Sequence, residues 1–145
     1  MLSIIVGTQT GTAEFVADDI LELLEGQGIE AQVTLTPETL DINQQQTWLF
    51  CTSTHGAGEF PDNLKPFIQQ LELMKDLSHI SYMIVALGDS SYDTYCFAGH
   101  KLEQLLADRN SQKLSELFAV DAMNEELPED LVIPWLTSNL TKISK

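Results

Sequence analysis

Residues 2–26 read "LSIIVGTQTGTAEFVADDILELLEG", and this stretch decides the fold. Its opening, Leu2–Val6, is short and almost wholly apolar, the mark of a parallel strand covered on both faces. Its close, Thr12–Gln27, sets Val16, Ile20, Leu23 and Leu24 on one side and Asp18, Asp19, Glu22 and Glu25 on the other. That is an amphipathic helix, ended by Gly26 and Gly28. A strand that runs through a Gly- and Thr-rich turn into a helix makes an anion cradle. Yet the first lysine or arginine of the chain is Lys65.

The same alternation continues outward. Glu30–Leu35 alternates polar and apolar residues, as a half-exposed edge strand does. Trp48–Ser53 and Tyr82–Leu87 are buried strands, and Leu117–Val120 is a short last one. Asp62–Met74 reads as a helix with Leu64, Phe67, Ile68 and Leu71 inward. A further helix turns Ala98, Leu102, Leu105 and Leu106 inward, and Leu131–Ile143 closes the chain burying Val132, Trp135, Leu136 and Ile143. Strands alternating with helices predict one domain over residues 1–145: an α/β three-layer sandwich on a five-stranded, doubly wound parallel sheet. Ligands of such sheets bind beyond the carboxyl ends of the strands. The loops Thr8–Ala13, Thr52–Asn63 and Gly88–Tyr95 leave those ends and converge on one site.

Composition narrows the function. Seven basic against 22 acidic residues give a net charge of −15, which repels nucleic acid and anionic membranes and favours basic partners. Cys51 and Cys96 form no C-x-x-C, and three scattered histidines give no zinc spacing, so both thiols are expected to be reduced and no metal is expected. The N-terminal apolar run is too short for a signal peptide or a membrane span, which predicts a cytoplasmic protein.

Three phosphate-binding schemes fail on the first loop. A nucleoside-triphosphatase loop needs a longer spacing than Gly7–Gly11 and a lysine. The dinucleotide fingerprint G-x-G-x-x-G is absent. A phospho-acceptor site needs acidic groups after the first strand and a basic partner, where Gly7-Thr8, Ser53-Thr54 and Val120-Asp121 stand. A simple helix cap does not require so many hydroxyls. What fits is a phosphate held by the hydroxyls of Thr8, Thr10 and Thr12 and the amides of Gln9, Thr10, Gly11, Thr12 and Ala13, with the helix dipole in place of a cation.

At these residues the sequence resembles the flavodoxin family. "TQTGTAE" is similar to the loop that holds the phosphate of flavin mononucleotide (FMN), especially in the FMN domains of diflavin reductases. "STHGAGEFPDN" (53–63) and "LGDSSYDTYC" (87–96) look closest to the MioC-type short flavodoxins. The resemblance implies the flavodoxin-like sheet order 2-1-3-4-5 and FMN as cofactor. It sets Ser53, Thr54, His55, Gly56, Ala57 and Gly58 against the isoalloxazine ring, with His55 on the outer face and the Gly56 peptide near N5. It counts Leu87, Gly88 and Asp89 among the cofactor-binding residues, with backbone donors from Gly88 to Ser91 toward the pyrimidine edge and Tyr92 stacked on the second face. Asp89 is either a turn residue or a ring neighbour, and Tyr95 and Phe97 are either core or cofactor residues. Cys96 lies near the site without a redox partner.

The implied function is electron transfer by a monomeric carrier. Its partners would be a basic-faced NADP-dependent flavodoxin/ferredoxin reductase and an acceptor redox enzyme such as an iron–sulfur protein. The alternative is a small FMN-dependent NAD(P)H quinone or azo reductase. A third reading is an FMN domain cut from a larger diflavin protein, against which Met1 and the basic end at Lys142 and Lys145 favour a complete chain. Glu59, Asp62, Asp89, Asp93, Glu125 and Glu126 form a negative rim suited to transient docking.

Overall fold

Period-two alternation along the inner strands builds two cores, one on each face of a sheet. In the computed structural model, the fold is described for residues 2–7, 12–53, 60–88, 97–121 and 127–143. Strands β1 (Leu2–Gly7), β2 (Ala31–Thr34), β3 (Gln46–Ser53), β4 (Ile80–Gly88), β5 (Gln112–Lys113) and β6 (Phe118–Asp121) are all parallel. Helices α1 (Thr12–Gly26), α2 (Lys65–Leu73), α3 (Phe97–Ala107) and α4 (Pro128–Ile143) cover them. The order is β2-β1-β3-β4, with both β5 and β6 on the far side of β4. This is the expected flavodoxin-like order.

Ile4, Val6, Leu49, Cys51, Met83 and Val85 point to one face and meet Val16, Ile20 and Leu24 of α1 and Val132 and Leu136 of α4. Ile5, Trp48, Phe50, Tyr82 and Ile84 point to the other and meet Leu64, Phe67, Leu71, Leu102 and Leu106. Leu23, Leu105, Trp135 and Ile143, expected inside, pack only at the margins of these cores.

Two elements depart from the sequence expectation. The fifth strand position is shared by β5 and β6. Tyr82 pairs with Lys113 and Val85 with Phe118, so two residues of β4 face four of the partner. The surplus lets Leu114 turn toward the aliphatic core and Leu117 toward the aromatic one. The expected helix over Asp62–Met74 begins as a 3-10 turn at Asp62–Leu64, becomes α-helical at Lys65 and yields to extended backbone at Met74.

Helix ends are set by local chemistry. Gly28 takes a left-handed φ of 75° just past α1, while Ile29 donates to the Leu24 carbonyl at 2.9 Å. Gly99 is small for contact: an added Cβ would lie 2.6 Å from the Ala86 Cβ, so α3 sits directly on β4.

Candidate functional site

Because the strands are parallel, their carboxyl ends emerge together. The register places Gly7 beside Thr52, Ser53 beside Leu87 and Gly88 beside Asp121. Neighbouring ends stand about 5 Å apart in such a sheet. The three predicted loops leave from this one edge, as the sequence required. Thr8, Gln9, Thr10, Gly11, Thr54, His55, Gly56, Ala57, Gly58, Asp89, Tyr92, Tyr95 and Cys96 lie outside the described residues.

The remaining site candidates form the frame. Thr12 opens α1, where the first-turn N–H groups have no intrahelical acceptor and the helix dipole is positive. Ala13 is fully buried in the aliphatic core, so only its backbone can serve a ligand. Its carbonyl accepts the Cys51 thiol at 3.5 Å. Burial pushes that thiol up to about 12, which leaves it protonated and unreactive. Leu87 is likewise a core residue, with its backbone paired across to β3. The Ser53 hydroxyl donates to the Gly7 carbonyl at 3.4 Å, linking the exits of β3 and β1. Phe97 opens α3 after the third loop.

One frame residue was not anticipated from the sequence. The Asn63 side-chain amide donates to the Val6 carbonyl at 2.6 Å and to the Leu35 carbonyl at 3.0 Å. Beside it, Leu64 packs so close to Gly7 that a Cβ there would lie 2.5 Å from Leu64 Cδ1 and from Thr52 Oγ1. Glycine at position 7 is thus a packing requirement. Lys65, the first cation of the chain, is engaged by Asp62 at 2.9 Å, so Asp62 contributes less to a negative rim than its charge suggests.

Among the described residues, no group of three His, Cys, Asp or Glu is placed to hold a metal ion. No helix among them is long and apolar enough to cross a membrane.

Comparison with known proteins agrees with this geometry. The profile of the family described as Flavodoxin matches residues 4–135. The chain is 40% identical over 138 residues to a protein MioC homolog of Haemophilus influenzae, covering 94% of each chain. It is 33% identical over 138 residues to flavodoxin YqcA of Escherichia coli K12, covering 93% of each. Among solved structures, a flavodoxin variant from Pseudomonas aeruginosa superposes with a TM-score of 0.83 at 26% identity, covering 99% of both chains.

Proposed function

The chain belongs to the flavodoxin family, whose members bind FMN and transfer electrons, and on that premise we propose that it shuttles single electrons from a reductase to an acceptor enzyme. The donor is a basic-faced, NADP-dependent flavodoxin/ferredoxin reductase. The acceptor is a redox enzyme, an iron–sulfur protein being the class the family suggests. The protein acts as a cytoplasmic monomer of one domain and converts no substrate of its own.

The observation that carries this reading is the row of strand ends Gly7, Ser53 and Gly88, with the N-terminus of α1 returning beside the first. This frame fits FMN. An anion at the start of α1 meets unpaired N–H groups and the positive end of the dipole, so a phosphate needs no lysine there. In the proposal, the hydroxyls of Thr8, Thr10 and Thr12 and the amides of Gln9–Ala13 hold the phosphate. His55 and Tyr92 cover the two ring faces, the Gly56 peptide serves the N5 edge, and Gly88 and Asp89 serve the pyrimidine edge. FMN, when bound, supplies one- and two-electron redox chemistry. The chain's part is to orient it, exclude water from its faces and leave one edge open to partners.

The experiment is a titration of the apoprotein with FMN followed by flavin fluorescence, then mixing with NADPH with and without a flavodoxin reductase. Tight binding is expected, with flavin reduction only when the reductase is present and a rate that falls as salt screens the docking charges. Direct oxidation of NADPH by the loaded protein, with quinone turnover, would instead show a reductase enzyme.

A further inference from the structure

We infer that Asn63 is a positioning residue for the flavin, holding the phosphate loop and the ring loop in a fixed relation to each other. The inference rests on the FMN reading above. It begins at the β1–β2 ladder, where Ser3 pairs with Gln32, Ile4 with Val33 and Ile5 with Thr34. The next rung would be Val6 with Leu35. Pairing stops there, and the Asn63 amide bonds the carbonyls of those same two residues, at 2.6 and 3.0 Å. A primary amide carries two N–H groups, so one side chain can serve both acceptors.

The residues on either side tighten this junction. Leu64 fills the space above Gly7, and its backbone N–H donates to the Pro61 carbonyl at 3.0 Å, closing the 3-10 turn. Residues 63 and 64 therefore grip residues 6 and 7, by hydrogen bond and by packing. Val6 and Gly7 lead directly into 8–11, which carries the phosphate in the proposal. Asn63 is separated only by Glu59, Phe60, Pro61 and Asp62 from 53–58, the segment set against the ring in the proposal. Two loops that must hold opposite ends of one ligand thus leave from one bonded unit. A ligand spanning both gains from that preorganisation, because the distance between its two sites is set before it binds.

A side chain that merely stabilised the fold would act on every ligand alike. The test compares FMN with riboflavin, which has the ring but no phosphate and so needs only the ring loops. Affinities and apoprotein Tm are measured for the native chain, Asn63→Asp, Asn63→Ser and Gln70→Ala. Asn63→Asp keeps the shape and removes both donors. Asn63→Ser is the milder variant should the carboxylate against two carbonyls prevent folding. Gln70 is the matched control, since its amide donates to the Glu38 carbonyl at 3.1 Å and lies on α2.

The Asn63 variants are expected to lose about tenfold in FMN affinity, the size of one hydrogen bond's net contribution. Riboflavin affinity should fall by less, so the preference for the phosphorylated ligand shrinks, while Gln70→Ala lowers Tm alone. Equal losses for both flavins, or a lowered Tm with both affinities intact, would overturn the inference. Failure of the native chain to bind FMN would overturn the carrier reading and this inference with it, and differs from either result because it appears before any substitution.

Discussion

On the α2–α3 side of the sheet the core is aromatic. Trp48 meets Phe67 edge-on at 5.2 Å between centroids and Phe50 at 5.9 Å. That side is also tied by side chains bonded to distant backbone: Asn63 to Val6 and Leu35, Gln70 to Glu38, His79 to Ile42, and Arg109 to Met74 and Glu72. On the α1–α4 side the buried core is aliphatic, and the stacked pair Phe118–Trp135 stands at its margin. Charge divides the same way. Helix α1 carries five carboxylates and no cation, whereas residues 62–76 and 97–109 together hold four cations and five carboxylates. Of these ties only Asn63 stands at the loop exits, while His79 and Arg109 close the opposite edge of the sheet; the packed layer presents the negative surface.

Arg109, the only arginine in the chain, tests the wiring most strongly. Its Nε donates to the Met74 carbonyl at 3.0 Å, Nη1 to Leu105 at 3.1 Å and Nη2 to Glu72 at 3.1 Å. The guanidinium therefore closes the ends of α2 and α3 with one group, and its charge suits the negative pole of a helix C-terminus. Arg109→Ala should cost about 3 kcal/mol in urea unfolding, since hydrogen bonds to a charged donor are each worth more than neutral ones. Arg109→Lys should recover less than half, because a single ammonium cannot fan to three carbonyls. Full recovery by lysine would show that charge, rather than geometry, joins the two helices.

The packed layer is tested by its one described thiol. Cys51 is fully buried on β3, and its folded value is raised from 9.0 to about 12 by loss of solvent. A raised folded value means that unfolding releases a proton at alkaline pH. Cys51 thus contributes stability that is intact below about pH 9 and is lost as pH climbs toward 12. At pH 10 the loss from this group is about 1.4 kcal/mol relative to neutral pH. Cys51→Ala should flatten the alkaline slope of the unfolding free energy by that amount between pH 8 and 10 (chosen, roughly the window below the folded value). An unchanged slope would mean that the thiol is ionised or solvated in the folded chain.

Both layers were legible in the sequence where a periodic signal existed. Trp48–Ser53 and Tyr82–Leu87 announce buried strands by continuous apolar residues, and the helices by their inward faces. The parts that were not legible depend on contacts far apart in the chain. Gln112 and Lys113 are polar and exposed, and become a strand only through pairing with Ser81 and Tyr82. Leu35 fits the alternation of the edge strand, yet leaves it because Asn63, 28 positions on, takes its carbonyl. The "FPDN" stretch signals a helix start, and nothing local says that its asparagine reaches back 57 residues to Val6. The loop exits could be expected from sequence because Gly- and Thr-rich composition at strand ends is a local feature; Asn63 was missed because its hydrogen-bond partners lie far away in the chain.

The smallest expected effect probes the charge difference between the layers. Glu22 is exposed on α1 and has Asp18 four residues before it, Asp19 three before and Glu25 three after. Like charges at these spacings repel on a helix surface, each pair by a few tenths of a kcal/mol. Glu22→Lys converts three repulsions into attractions and places a cation toward the negative end of the helix. The variant should therefore gain about 0.5 kcal/mol at low ionic strength, fading as salt shortens the screening length. The same exchange on the other layer should have the opposite sign. Glu72→Lys sets a new cation on the residue whose carbonyl accepts the Arg109 guanidinium at 3.1 Å, so it adds a like charge beside an existing one. Gains of equal size for both variants would mean that the net charge of −15 acts on the whole molecule evenly. A gain for Glu22→Lys with a loss for Glu72→Lys would localise the self-repulsion to the α1 layer, where a basic partner would relieve it on docking.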